Sequence, residues 1–439
     1  MRKILLSNAA VVTVLAVIFA GDFFRNALTV WGWGALALLA MVWGYLVVIR
    51  TKVSWRAVPL PFLLFVLWAV ASVSWSVYSS TAALGAFILV GSVVCGIALA
   101  VSIPFDHLVH LMARTLRIIL AGSVVFEIGV ALTGRPLFPV GFTPTATTPI
   151  EFAWSRGHFF EFDQRIQGLV GNANLLGMLA VLALLMALAR FRSGRGTRSR
   201  TIADFALSGL IVWHTYSATV VFILIAVSFA AFIIYLGRHR ANPAYRAALV
   251  MTIGGGTMIV ALILLNWPLV ASLLGKTPDF TNRLDIWLEV MARSRDMPLL
   301  GHGFVGFWPD WEPYFGFHYL DGKNVGQAHN AWLDIVLQVG AVGLVLFLFA
   351  LGQIVWRLFQ HAIDDIDPLH SLPLLLLTAQ TVQTLTESRI LTEWGIVLFA
   401  LWAAQTSKQF EHQILDQPTT NELSTPLDAS TEGTSENPR

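Results

Sequence analysis

The sequence predicts an all-α fold, a polytopic transmembrane helical bundle of about 12 spans, and three observations predict it. Of 439 residues, 56% are hydrophobic and 12% charged, too apolar a balance for a soluble domain of this length. Apolar runs long enough to cross a hydrocarbon core about 30 Å thick, at about 1.5 Å per residue, recur along most of the chain. Short loops rich in arginine and lysine alternate with longer segments that hold few of them.

The spans follow in order. Ile4 to Ala20 opens the series, and Met1-Arg2-Lys3 before it gives it the look of a signal peptide. No convincing small-residue cleavage site precedes Asp22, so it reads as an uncleaved first span. Next come Val30 to Ile49, Val58 to Ser74, Thr81 to Ile103 and Leu116 to Thr133. The middle group is Ile166 to Ala189, Ile202 to Tyr216, Ala218 to Leu236 and Ala247 to Asn266. Asn330 to Trp356, Leu369 to Thr386 and Ile390 to Ala404 complete it, with almost no loop at Ser217 or at Glu387. Cys95, the single cysteine, lies inside an apolar run and reads as packing, with no disulfide framework and no cysteine metal site.

The basic loops set the orientation. Arg50, Lys52 and Arg56 form one; Arg190, Arg192, Arg195, Arg198 and Arg200 form the strongest; Arg238, Arg240 and Arg246 form a third, and Arg357 adds a weaker fourth. Holding these on the cytoplasmic side of an inner membrane puts both termini in the cytoplasm. Residues 1–266 then hold nine helices with an extracytoplasmic loop near 134–165, residues 267–329 form a large extracytoplasmic loop, and residues 330–404 hold three more helices. Residues 405–439 are expected to be a largely disordered cytoplasmic tail, since its Thr, Ser, Glu, Asp and Pro cannot bury enough surface to offset ordering. The net charge of +2 says little beyond giving no reason to expect a nucleic-acid partner. No internal repeat shows in the spacing of charges or glycines.

The two outer segments differ in character. The first begins with Pro136, Pro139, Pro144 and Pro149, a spacing that rules out a long helix, and then turns aromatic and charged through Trp154, Arg156, His158 and Phe159 to Arg165. In the second, Thr281 to Met291 reads as a helix with a Thr or Asn cap. Leu284, Trp287, Leu288 and Met291 recur at helical spacing, a stripe expected to lie on the outer membrane surface. Pro298 stops the helix, and Gly301, Gly303 and Gly306 permit turns; without a preceding strand they are poor grounds for nucleotide binding. His302, His318, Asp310 and Glu312 show no metal-ligand spacing.

At the end of the second segment stands Ala328-His329-Asn330-Ala331-Trp332-Leu333, where a histidine has water on one side and hydrocarbon on the other. Such a place suits chemistry on a lipid-linked substrate, whose tail stays in the bilayer while its head group reaches the surface. Arg165 and Arg283 fall on the same side. On the residues alone, His329 reads as a polar interfacial cap, Arg165 as a snorkelling anchor, and Arg283, at a helix start unfavourable to a cation, as compensated by Asp285, by Glu289 or by a bound anion. Asn172 and Asn174 lie within an apolar span, where polar groups usually bond another helix. Glu387 and Arg389 fall at a tight outer turn, where they are expected simply to pair.

Three pieces give the chain a familiar look: Arg165-Ile166-Gln167-Gly168 running into Gly171-Asn172-Ala173-Asn174-Leu175-Leu176-Gly177, Asn282-Arg283-Leu284-Asp285-Ile286-Trp287 before Gly301-His302-Gly303, and His329-Asn330-Ala331-Trp332-Leu333 before Gly340. In their order and spacing the chain resembles the O-antigen ligase family of bacterial membrane glycosyltransferases, which includes O-antigen polymerases and exopolysaccharide polymerases. The resemblance implies transfer of a glycan from undecaprenyl diphosphate to an acceptor hydroxyl, on a glycan or a glycolipid, outside the cytoplasmic membrane. It implies no nucleotide sugar or ATP, and with no metal-ligand spacing in the sequence the transfer is expected to need no metal or other cofactor.

That chemistry needs a base for the acceptor hydroxyl and positive charge for the departing diphosphate. A neutral imidazole at His329 suits the first, since the reference value of histidine is about 6.5. Were His329 in the first turn of its helix, the dipole would favour the neutral form further. Arg165 and Arg283 suit the second as permanently charged forks, with Asn172, Asn174 and Asn330 in supporting places. Two other classes stay open: a transporter or flippase for polysaccharide precursors, and a non-catalytic scaffold. Transport predicts ionisable residues at mid-membrane in paired broken helices, whereas the candidates here cluster at helix ends.

Overall fold

The computed structural model describes residues 5–51, 53, 55, 58–145, 147–266, 269, 283–316, 319–320, 323–324 and 326–406. Among them the chain is helical apart from short 3-10 turns and one small hairpin. The helices are α1 (Asn8–Phe19), α2 (Gly21–Thr51), α3 (Leu60–Ala71), α4 (Ser79–Ser102), α5 (Phe105–Thr133), α6 (Ala173–Arg192) and α7 (Arg198–Thr215). They continue with α8 (Ala218–Arg238), α9 (Pro243–Leu265), α10 (Arg283–Ser294), α11 (Ala331–Asp364), α12 (Pro368–Gln383) and α13 (Glu393–Gln405). Each of the apolar runs read from the sequence overlaps one of these helices. Among the described residues, six are long and apolar enough to cross a membrane: α2, α4, α5, α6, α8 and α11. The hairpin, Tyr319–Leu320 paired with Lys323–Asn324, is a departure from an all-helical reading. Met1 to Lys3, Lys52, Arg56, Thr281, Asn282, His318 and the tail from 407 onward lie outside the described residues.

Packing explains the interior helices. The short α13 is buried on every side from Trp394 to Ala404. It lies against α4 so closely that a Cβ on Gly96 would stand 2.2 Å from the carbonyl oxygen of Val397. Gln380 of α12 bonds α13 twice, accepting at Oε1 from Trp402 Nε1 at 2.9 Å and donating from Nε2 to Gly395 O at 2.7 Å, which satisfies these groups away from water. Cys95 fills the seam between α4 and α2 near the carbonyl of Ala40, the packing role expected of it.

Boundaries moved where local chemistry outweighs hydropathy. α5 begins at Phe105, eleven residues before the expected Leu116, because Pro104 starts a helix whose first turns are amphipathic and invisible to an apolar-run reading. α6 begins at Ala173 and not Ile166: Gly168 and Gly171, at φ 61° and 64°, hold the intervening chain in left-handed turns. Asn172 and Asn174 therefore do not lie within a span. Asn172 is the N-cap of α6, accepting from the backbone N–H groups of Asn174 and Leu175, and Asn174 sits in the first turn. Tyr216, at φ 43°, makes the sharp break between α7 and α8.

The two ends of the bundle have different characters. At one end the basic loops are tied down: Arg195 pairs with Asp106 at 3.2 Å and Asp367 at 2.6 Å, Arg240 with Asp364 at 2.9 Å, and Arg238 donates to the carbonyl of Ala362. The other end gathers the starts of α6, α8, α10 and α11 with the ends of α7 and α12.

A break in α11 organises that end. Gly340 has φ 67° inside the helix, and the segment after α10 inserts there to satisfy the freed backbone groups. His302 N–H donates to Leu337 O at 3.0 Å, Gly303 N–H to Gln338 O at 2.8 Å, and Ala341 N–H to Pro298 O at 2.8 Å. The first piece of α11 is held further by Gln338, whose Oε1 accepts from Val305 and Gly306 N–H. A Cβ at position 340 would stand 2.2 Å from Leu299 O at a φ that L-residues rarely adopt. Gly340→Ala is accordingly expected to cost at least about 2 kcal/mol and to lower the melting temperature of the detergent-solubilised protein by several degrees; an unchanged melting curve would contradict the break.

Candidate active site

Glu387, just beyond α12 and 1% exposed, is the centre on which the candidate residues converge. Gln327 donates from Nε2 to its Oε2 at 2.6 Å, and Asn174 from Nδ2 to its Oε1 at 3.5 Å. His329 Nδ1 lies 3.4 Å from Oε2, and Arg283 Nη2 lies 3.9 Å from Oε1. Arg165 joins through Asn174: its Nη2 donates to Asn174 Oδ1 at 2.7 Å, where Ser217 Oγ also donates at 2.9 Å, and its Nε donates to Thr215 O at 2.7 Å. His329, Arg165, Arg283 and Asn174, four of the residues singled out in the sequence, therefore share one cluster. Asn172 and Asn330 bond only to the backbone of their own helices and hold helix starts in place.

Local backbone explains why each side chain is presented. Asn330 caps α11 through Trp332 and Leu333 N–H, so His329 stands one residue before the cap and not in the first turn. Its φ of 50° is unusual for a residue with a Cβ. The neighbours hold it there: Ala328 N–H donates to Asp334 Oδ2 at 2.9 Å, Trp287 Nε1 donates to Ala328 O at 3.0 Å, and Ala331 N–H donates to Thr384 O at 2.9 Å. Arg283 opens α10, whose other face buries Ile286 and Val290. The partner of Arg283 is Glu387 and neither of the expected acids, since Glu289 is engaged by Arg293 at 2.8 Å. The stripe of Leu284, Leu288 and Met291 remains exposed, while Trp287 turns inward to Ala328.

The loop carrying Arg165 is fastened from below. Glu127 of α5, also 1% exposed, accepts from Ser155 Oγ at 2.7 Å, from Gln167 N–H at 2.9 Å and from Gly168 N–H at 2.5 Å. This one carboxylate ties the middle of the outer loop and its C-terminal end to the bundle. Sequence reasoning missed Glu127, Gln327 and Ser217. Glu387 it misread: Arg389 does not take it as its ion-pair partner, but pairs with Asp22 at 3.1 Å and with Glu393. The available signal was a single acid between two apolar runs joined by almost no loop, where burial demands several partners.

Electrostatics favour an anion beside this cluster. Burial lowers the affinity of Arg165 for its proton, and the charges of Arg156 and Arg283 add to this while Glu387 opposes it. Burial likewise lowers Arg283, against Glu387. Burial on its own would raise Glu387, yet the neighbouring His329, Arg283 and Arg389 outweigh it and hold the carboxyl down at about 2. A cavity of about 270 Å³ opens beside the cluster, lined by Arg156, Arg165, Gln167, Asn172, Asn174 and Glu151 among others. Arg156 Nε and Gln167 Oε1 are buried there without a hydrogen-bond partner. Among the described residues no three His, Cys, Asp or Glu side chains are grouped to hold a metal; His302 instead faces Leu337 O at 3.2 Å, and Glu312 accepts from Thr81.

Fold and site together define a multi-pass membrane protein with a cation-rich polar cavity at one end of its helical bundle. Residues 168–348 match the family model described as O-antigen ligase. A curated relative, the exopolysaccharide production protein ExoQ of Rhizobium meliloti (strain 1021), is 26% identical over 179 residues, which cover 37% of this chain and 39% of that protein. The chain thus spans about two fifths of the relative it matches. Both findings support the resemblance to the O-antigen ligase/polymerase family read from the three motifs. The family match takes in the Arg283 and His329 motifs whole and begins three residues after Arg165.

The depressed value of Glu387 has a consequence for stability. A carboxyl that titrates at about 2 when folded and at about 4.3 when unfolded contributes stability above the higher value and loses it as pH falls through the lower. The melting temperature of Glu387→Gln is therefore expected to lie below that of the wild type at pH 6, and the two are expected to converge as pH falls towards 2. Parallel curves would show that the carboxylate is not held in this way.

Proposed function

We propose that this protein is a glycosyltransferase of surface polysaccharide biosynthesis, moving a glycan from undecaprenyl diphosphate to an acceptor sugar hydroxyl at the outer face of the cytoplasmic membrane. In this reading the bundle has about 12 spans with both termini in the cytoplasm. Its site end faces outward, with the 134–165 and 267–329 segments as the outer loops. The observation that carries the reading is the convergence of a histidine and two arginines on one buried carboxylate beside a cationic cavity.

Catalysis follows from that arrangement. The acceptor hydroxyl attacks the anomeric carbon, with inversion; the new carbon–oxygen bond forms as the bond to the diphosphate breaks, and the leaving group keeps the electron pair. Glu387 beside Nδ1 favours the tautomer with its proton on that nitrogen, which leaves Nε2 of His329 free to take the acceptor's proton. Arg165 and Arg283, with Arg156 close by, hold the diphosphate as negative charge builds on it. The lipid diphosphate is already a good leaving group, so no metal is required.

A transport reading would point to the broken helix α11, since discontinuous helices often coordinate a carried ion. Here the carbonyls of Leu337 and Gln338 and the Ala341 N–H are bonded by the 298–303 segment, and Val339 O accepts from Trp68 Nε1, so the break is filled by protein.

Purified His329→Ala should transfer glycan from a lipid diphosphate donor about 10²- to 10⁴-fold more slowly than the wild type, while Arg165→Ala and Arg283→Ala should raise the KM for that donor. An unaltered rate in His329→Ala would remove the base. A chelator is expected to leave the activity intact; loss of activity restored by one divalent ion would overturn metal independence. Sizing the products made from lipid-linked repeat units alone separates the two family chemistries: a ladder means polymerase, and no reaction without added acceptor means ligase.

A further inference from the structure

A second cavity, of about 150 Å³, adjoins the cationic one and shares Glu151, Gly171 and Asn172 with it as a common wall. Its chemistry is different. Asp22, Arg25, Asn26, Glu151, Trp154 and Arg389 line it, so two carboxylates face two guanidinium groups and the lining is balanced in charge. Asp22 pairs with Arg25 and Arg389, and Arg389 with Glu393, which fixes the donors and acceptors in place. Two groups are left over. The Nε of Arg389, a side chain 8% exposed, is buried without a hydrogen-bond partner, and the side-chain amide of Asn26 makes no hydrogen bond among the described residues.

We propose that this cavity is a subsite for a single uncharged sugar residue, the one bonded to the phosphate that the neighbouring cavity holds. The inference rests on the diphosphate reading above, because the sugar linked to that phosphate must occupy the adjoining space. A balanced set of fixed charges rejects a net ion but offers both acceptors and donors to ring hydroxyls. Trp154 closes one wall, buried against Phe23 and Phe126 with its own Nε1 already spent on Leu169 O at 2.8 Å, so the accessible lining is left mainly to the polar groups. The volume suits one ring and not an oligosaccharide. The subsite would thus select which first sugar on the lipid is accepted, through Asn26, Glu151 and Arg389.

The test uses the full chain in detergent with glucose 1-phosphate, galactose 1-phosphate, N-acetylglucosamine 1-phosphate and inorganic phosphate as probes. Phosphorus line broadening reports the cationic cavity, and saturation transfer to the ring protons reports the adjoining one. At least one sugar phosphate is expected to show ring transfer. Asn26→Leu should weaken its binding about tenfold, the effect of a lost polar partner, while leaving the broadening of inorganic phosphate and the melting temperature unchanged; Glu151→Gln, on the wall shared by the two cavities, should weaken the ring transfer likewise. Broadening of the phosphorus signal without ring transfer in the wild type would overturn the subsite and leave the diphosphate reading standing. No broadening with any probe would overturn both.

Discussion

A carboxylate cut off from water has to find its partners inside the protein, and much of the arrangement at this end of the bundle follows from how Glu387 does so. Four side chains from three separate stretches of chain meet it: Asn174 from the start of α6, Arg283 from the start of α10, and Gln327 and His329 from the segment before α11. None of the four is adjacent to it in sequence. Removing one partner from a buried charge is costly, so the carboxylate acts as a common reference that keeps these helix ends in register. The amide of Gln327 does so twice over, since its Oε1 also accepts from Ser388 N–H at 2.7 Å.

Below that layer a second buried acid repeats the principle. Asp334, on the first turn of α11, accepts from Ala328 N–H and from Ser388 Oγ, and Gln338 one turn on reaches both Asp334 and the Val305–Gly306 backbone. The unusual backbone of His329 is thereby clamped on both sides, by the Asn330 cap after it and by the Ala328 bonds before it. A side chain proposed to take a proton gains from such over-determination, because orientation is settled before a substrate arrives.

How far this was legible in the sequence depends on the range of the interaction that decides each feature. The apolar runs were readable because hydropathy acts locally, and so were the histidine and the two arginines once their motifs were set in order. Glu387 was visible as an ionisable residue at a tight turn, but its partners were not, because all four come from distant stretches and no periodicity ties them together. Arg389 beside it was its nearest opposite charge in sequence, but in space Arg389 pairs with Asp22, brought up by α2 from 367 residues away. The start of α6 was misplaced for a related reason. Ile166 to Val170 is apolar enough to read as helix, but Gly168 and Gly171 break it into turns that Glu127 then fastens.

The break in α11 shows why the site and the fold cannot be separated. Were α11 continuous through Gly340, its backbone groups near Leu337 and Gln338 would be satisfied within the helix, and the segment from Pro298 to Gly303 would lose its bonds to α11 and keep only those to residues 75–78. That segment connects α10, which carries Arg283, to the stretch that ends in His329. Anchoring it in the break fixes α10 against α11, and Trp287 then closes the arrangement through Ala328 O. The position of a cationic side chain and that of a histidine about 46 residues later are thus set by one glycine, whose left-handed backbone lets another strand of chain enter the helix.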